Sequence, residues 1–162
     1  MYSLRKALRL RMRGSLLTSA NIYVGTNTHV RFLVTSSANP STIYVAGMGT
    51  NAGQLTLFMD GSSLTMSGGA SVESGNALDF AYYGTTNNTK VSFGGNSTFV
   101  GTIYAPQADL KLSGGGSSPL DLCGAIIAKT VTASGHYLFH FDENLAVAGP
   151  RRGLVVNSWQ EL

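Results

Sequence analysis

Charge is scarce in this sequence. Only 12% of its 162 residues are Asp, Glu, Lys or Arg, about half the usual share near 25%. The polar positions are filled by Gly, Ser, Thr and Asn, a poor composition for long helices, because all four disfavour helix interiors. Cysteine is nearly missing. The single Cys123 excludes an intrachain disulfide and a multi-cysteine zinc site. It sits in the apolar run Leu122-Cys123-Gly124-Ala125-Ile126-Ile127 and reads as a small buried hydrophobe. No apolar run reaches 18 residues, so no transmembrane helix is expected. A signal peptide is not recognisable either. The charged stretch at the start is too long and the apolar stretch after it, Leu16-Leu17, too short. Export is therefore expected to rely on a targeting segment outside this chain or on a partner.

Enough apolar material is present for a core. Apolar residues make up 43%, more than a disordered chain carries, and a single domain near this length hides roughly 68–70% of its unfolded surface. The formal charge of +3 is unevenly placed. Five of the eleven basic residues (Arg5, Lys6, Arg9, Arg11, Arg13) fall in the first 13 positions, and from residue 14 onward six basic face eight acidic residues. The basic pI describes one end and not a basic domain. A nucleic-acid groove needs basic residues along a whole face, so no nucleic-acid partner is expected. In residues 1–13, Leu4, Ala7, Leu8 and Met12 fall near one helical face with arginines around them. That stretch reads as a basic tail or a short amphipathic helix, the one part expected to touch a membrane.

After Gly14 the helical period gives way to short β-branched and aromatic runs such as Asn21-Ile22-Tyr23-Val24, Thr42-Ile43-Tyr44-Val45 and Gln54-Leu55-Thr56-Leu57-Phe58-Met59. They repeat. Leu64-Thr65-Met66-Ser67-Gly68, Leu110-Lys111-Leu112-Ser113-Gly114 and Val131-Thr132-Ala133-Ser134-Gly135 share one pattern, with the variant Val91-Ser92-Phe93-Gly94-Gly95 between the first two. A second motif keeps step: Gly101-Thr102-Ile103-Tyr104-Ala105 matches Gly124-Ala125-Ile126-Ile127-Ala128, and Phe80-Ala81-Tyr82 aligns with Ile103 at the same distance. A period near 20 residues with short strands and glycine corners is one turn of a parallel β-helix. The sequence predicts an all-β solenoid over residues 14–141, clearest from Gln54 onward. Five or six coils make a rod of roughly 25–30 Å at strand spacing. An antiparallel sandwich, the competing fold, predicts hairpin turns, for which Asp60-Gly61 is a candidate, and does not predict the recurring motif. Residues 142–162 are expected to cap the stack, with Trp159 covering core.

Phe99 to Gly114, then Cys123 to Val131, then Phe139-His140-Phe141-Asp142-Glu143-Asn144-Leu145 and Ser158-Trp159-Gln160-Glu161-Leu162 together resemble an uncharacterised C-terminal domain of bacterial PilX-like, type IV pilus-associated proteins. Ile103-Tyr104-Ala105-Pro106 also resembles the solenoid part of anchored surface adhesins. The resemblance covers roughly residues 54–162. It implies a β-helical fold, a cell-envelope or extracellular location and no known activity. Members of that family carry an upstream pilin-like hydrophobic helix, which this chain lacks.

The densest polar group is His136, His140, Asp142 and Glu143. A metal reading takes His136, His140 and Asp142, but further ligands are not evident. The structural reading, in which His140 and Asp142 bond backbone groups where the last coil meets the cap, is preferred, and no cofactor is expected. Catalysis on a β-helix would gather carboxylates and bases on one face; here Asp60, Asp79, Asp109, Asp121, Lys90, Lys111 and Lys129 are scattered. Tyr83 with Asn87 and Asn88 forms a polar loop beside aromatics, a candidate glycan contact; the competing reading is a coil corner. Gly68, Gly114, Gly135, Glu143 and Trp159 are assigned structural roles. The expected function is a non-enzymatic structural or adhesion module of a pilus-associated or surface protein, working through protein contacts and self-association. The alternative is a glycan-binding or polysaccharide-degrading β-helix.

Overall fold

A computed structural model describes residues 6–95, 98–114 and 119–147. Every strand pairing in it is parallel, which rules out the sandwich. The strands are β1 (Lys6–Met12), β2 (Asn21–Val24), β3 (Thr28–Val34), β4 (Thr42–Val45), β5 (Gln54–Met59), β6 (Ser63–Met66), β7 (Ala70–Val72), β8 (Phe80–Gly84), β9 (Lys90–Gly95), β10 (Phe99–Gly114), β11 (Leu120–Gly135) and β12 (Tyr137–His140). They coil into a three-faced solenoid of about six turns. The first face stacks β1, β3, β5, β8, then the Gly101–Ala105 part of β10 and the Gly124–Ala128 part of β11. The second stacks β6, β9 and the later parts of β10 and β11. The third stacks β2, β4, β7, the starts of β10 and β11, and β12.

The repeated motifs are the register. Leu64, Val91, Leu110 and Val131 stand over one another, as do Met66, Phe93, Leu112 and Ala133. Ile22 pairs with Ile43, and Gly101 with Gly124. Alternation within each strand buries Leu64, Val91, Leu110, Met66, Phe93, Leu112, Ile22 and Ile43, whereas Val131 and Ala133, in β11, are exposed. Leu55, Leu57, Met59, Leu64, Met66, Leu110 and Leu112 are essentially fully buried, each stabilising the fold by about 1.5–3 kcal/mol relative to exposure. One alignment shifts by two residues: Tyr82, not Phe80, pairs with Ile103. The reason is steric. Phe80 lies against Gly101, and a Cβ there would stand 2.6 Å from its ring, so the bulky residue needs the glycine beside it.

The basic start is corrected. Residues 6–12 form strand β1 and not a helix, paired along its length with β3. The alternation Leu8-Arg9-Leu10-Arg11-Met12 matches Val30-Arg31-Phe32-Leu33-Val34 residue for residue, and a two-residue period next to an open strand edge outweighs a helical stripe of four residues. Among the described residues the solenoid therefore reaches back to Lys6. At the other end, the final turn Glu143–Val147 packs on the turn Ala77–Asp79. The remainder of the expected cap, Trp159 included, lies outside the described residues.

Corners hold the stack in register. Gly124 has φ +139° and Gly135 has φ +121°, a region side chains avoid. A Cβ on either would fall on the carbonyl oxygen of the glycine one coil below, Gly101 or Gly114. Gly68 fits the same role, since its N–H donates to the Ser41 carbonyl at 2.7 Å and leaves no room for a Cβ.

Candidate functional site

The outward residues of the first face form two columns along the solenoid axis. One runs Arg11, Leu33, Phe58, Tyr83, Tyr104, Ile127; its neighbour runs Arg9, Arg31, Thr56, Ala81, Thr102, Ala125. In the first column the Phe58 and Tyr83 rings stack at 5.4 Å and 17°, and Tyr83 meets Tyr104 at 6.3 Å. Tyr83, Tyr104 and Ile127 are 41%, 48% and 55% exposed, with Phe58 and Leu33 half-buried beside them, so this end of the column leaves an aromatic and aliphatic strip in water. A contiguous patch of that kind marks an interaction surface more often than isolated apolar residues do. A smaller pair, Tyr23 and Tyr44, stacks at 5.4 Å on the third face. Burial first, then the Glu73 carboxylate and Tyr23, hold the Tyr44 phenol above its ordinary range.

The proposed glycan loop divides. Tyr83 belongs to the strip. Asn87 is exposed, but its amide donates to Asp60 Oδ1 at 3.0 Å, the same oxygen that accepts from the Thr85 hydroxyl at 2.7 Å. Asn88 is corrected: it is fully buried and is not on the surface of the loop. Its Oδ1 accepts from the buried Tyr82 hydroxyl at 2.8 Å and its Nδ2 donates to the Gly61 carbonyl at 3.1 Å. A buried phenol needs an acceptor, and Asn88 supplies it while tying two coils together.

The histidine group also separates. Asp142, buried, turns inward and accepts from the Ala77 N–H at 2.7 Å and the Asn144 N–H at 3.0 Å. It thus bonds backbone as expected and joins the last coil to a turn 65 residues earlier. His140 instead faces Asp121, with Nε2–Oδ1 at 3.3 Å and both side chains exposed, a pairing worth little in water. The carbonyl of His136 accepts from Leu120 N–H, and Glu143 is exposed at the start of the final turn. Among the described residues no three His, Cys, Asp or Glu side chains converge enough to hold a metal ion. Asp79 accepts from Gln54 and Ser74 and Asp60 from Thr85 and Asn87, so these carboxylates serve corners. Cys123, half-buried beside Asp142 and Asp121, has its thiol pushed up by burial first and by those carboxylates next.

Sequence reasoning found Tyr83 but missed Phe58, Tyr104, Leu33 and Ile127 as its neighbours. The separations of 25 and 21 residues that join Phe58, Tyr83 and Tyr104 emerge once the inward motifs are aligned. A family model described as a domain of unknown function, DUF7305, matches residues 15–148. No curated protein and no solved structure matches the chain.

Proposed function

The chain belongs to the DUF7305 family, whose description assigns no activity, and from its own geometry we propose that it is a non-catalytic adhesion or structural module of a bacterial cell-surface or pilus-associated assembly. The observation that carries this reading is the strip Leu33–Phe58–Tyr83–Tyr104–Ile127, half-buried at Leu33 and Phe58 and exposed from Tyr83 onward. A solenoid holds such a strip rigidly, so contact costs little ordering of the surface. The low charge and the resemblance to pilus-associated domains support a place outside the cytoplasm. Immunogold labelling of intact cells, paired with an adhesion assay on a Y83S/Y104S variant, tests it. Surface label with reduced adhesion and an unchanged fold is the expected result; cytosolic protein, or adhesion indifferent to the strip, refutes it.

A second reading, glycan binding, is favoured by the exposed tyrosines of the strip, Tyr83 and Tyr104, whose ring edges and hydroxyls can meet sugars. Neither column of the first face contains a carboxylate, whereas glycosidic cleavage uses a pair of them. That supports binding over degradation there.

A further inference from the structure

Both ends of the described stack carry open strand edges. Among the described residues β1 pairs only with β3, and the Gly124–Gly135 part of β11 only with β10. Inward side chains on these two coils therefore have a neighbour on one side only. Leu8 and Leu10, which stand over Val30 and Phe32, are exposed. At the other end Val131 and Phe139 are exposed, and with Leu122 and Ile126 they line a cavity of about 420 Å³. The described chain does not close that end. After β12 it turns down the flank, where Asp142 accepts from the Ala77 N–H and Glu143–Val147 packs on Ala77–Asp79, a turn beside β10 and β11. Charge is divided between the two ends. Residues 6–59 hold five basic residues and no acidic one, whereas residues 60–147 hold seven acidic and three basic. Arg9 and Arg11 lie exposed on the β1 edge; on the last coil Asp121 and Glu143 are exposed and Lys129 is the one Lys or Arg. The rod is electrically polar along its axis.

We propose that the partner at these edges is a second copy of this chain, stacked head to tail, with β1 of one copy pairing in parallel with β11 of the next. Charged residues on an edge strand ordinarily block pairing. Here they block it selectively: two basic ends repel each other, whereas a basic end is drawn to the acidic end. The coil register continues across the junction. The column that runs through Leu33, Tyr104 and Ile127 begins at Arg11, so its next step sets Arg11 of the second copy over Ile127. The same step sets Leu10 over Ile126 and Met12 over Ala128, which covers the open core with apolar side chains. Two different surfaces meet in this contact. It is therefore heterologous, and it repeats into a chain of rods unless its rotation closes a ring. The contact uses the ends of the rod and not the aromatic strip, so the adhesion reading stands or falls separately.

Sedimentation velocity of the full chain, across concentration and salt, tests this. The weight-average size is expected to rise from one chain to two or more with concentration, and to fall as salt screens the end charges. L8K/L10K blocks one end and V131K/A133K the other, all four at exposed positions. Each variant alone is expected to stay monomeric with an unchanged circular dichroism spectrum. Their equimolar mixture is expected to form dimers and stop there, because each supplies the end that the other has lost; that recovery also shows that both variants fold. In a C123S background, R11C mixed with I127C is expected to yield an oxidised heterodimer, since paired strands stand about 4.8 Å apart. A full chain that is monomeric at every concentration, the result expected if residues 148–162 cover the second end, overturns the proposal. So does a mixture that stays monomeric while both variants keep the wild-type spectrum. Dimers of either blocked variant alone overturn the head-to-tail geometry, and association indifferent to salt overturns the selection by charge.

Discussion

Replacing Asn88 by alanine is the sharpest probe of how the coils are tied. Asn88 is fully buried, and its side chain answers the Tyr82 hydroxyl and the Gly61 carbonyl. Truncation strands the buried Tyr82 hydroxyl, which costs about 1–3 kcal/mol. It also removes the bond to Gly61, worth a further 0.5–1.5 kcal/mol or so. The sum is about 3 kcal/mol, equivalent to a fall in Tm of roughly 6–12 °C for a chain of this length. Urea unfolding followed by circular dichroism, in wild type, N88A, Y82F and the double variant, measures it. Tyr82→Phe leaves Asn88 Oδ1 without a donor and is expected to cost about 1–2 kcal/mol. The double variant is expected to lose about 1 kcal/mol less than the sum of the singles, because the second change removes the stranded partner. An N88A variant within about 0.5 kcal/mol of wild type, the range of an exposed site, would refute the buried tie and return Asn88 to the surface loop.

Other outcomes follow from the same geometry. Gly124→Ala and Gly135→Ala are expected to unfold at markedly lower temperature, whereas Gly25→Ala, where a Cβ would meet nothing within 4 Å, should melt with wild type; equal melting of all three defeats the corner argument. Burial holds the Tyr82 phenol above its ordinary value, so the unfolded chain ionises near pH 10 while the folded chain stays protonated. Stability from this group is complete below about pH 10 and is lost as pH rises from there towards the raised folded value, and Y82F should flatten that alkaline decline in thermal melts. Cys123 should react slowly with iodoacetamide, and Asp121→Asn, by removing a nearby negative charge, should speed the reaction at mildly alkaline pH; an unchanged rate speaks against the electrostatic contribution.

The coil period was legible because inward positions tolerate few residue types. The columns through Leu110 and Leu112 could be read directly from apolar-x-apolar-Ser-Gly, and the Ile-Tyr-Val pair of the third face likewise. Phe80 was misplaced by two because an aromatic beside a glycine resembles an aromatic stacked on an isoleucine until the Cβ is considered. Strand β1 carried its signal in Leu8-Arg9-Leu10-Arg11-Met12, but arginine on both columns imitates a basic amphipathic helix. The outward strip had no local signature at all. A Tyr in a strand is equally at home facing in, as Tyr82 does, or out, as Tyr83 does, and the register decides. Asn88 looked like loop because burial of an amide is a property of its partners and not of its neighbours in sequence.

The unequal spacing of the coils has a consequence for how such a chain can change. Between β4 and β5 the backbone leaves the stack and returns, and Gly49 on that excursion has empty space around it, as does Gly75 between β7 and β8. Hydrogen bonds on the faces are made only to the adjacent coil, so a detour at these points alters no pairing above or below it. The molecule thus divides into positions that keep time and positions that can be lengthened freely. New sequence can be spliced into the second set, projecting sideways from the rod, while the strip of rings keeps its spacing unchanged.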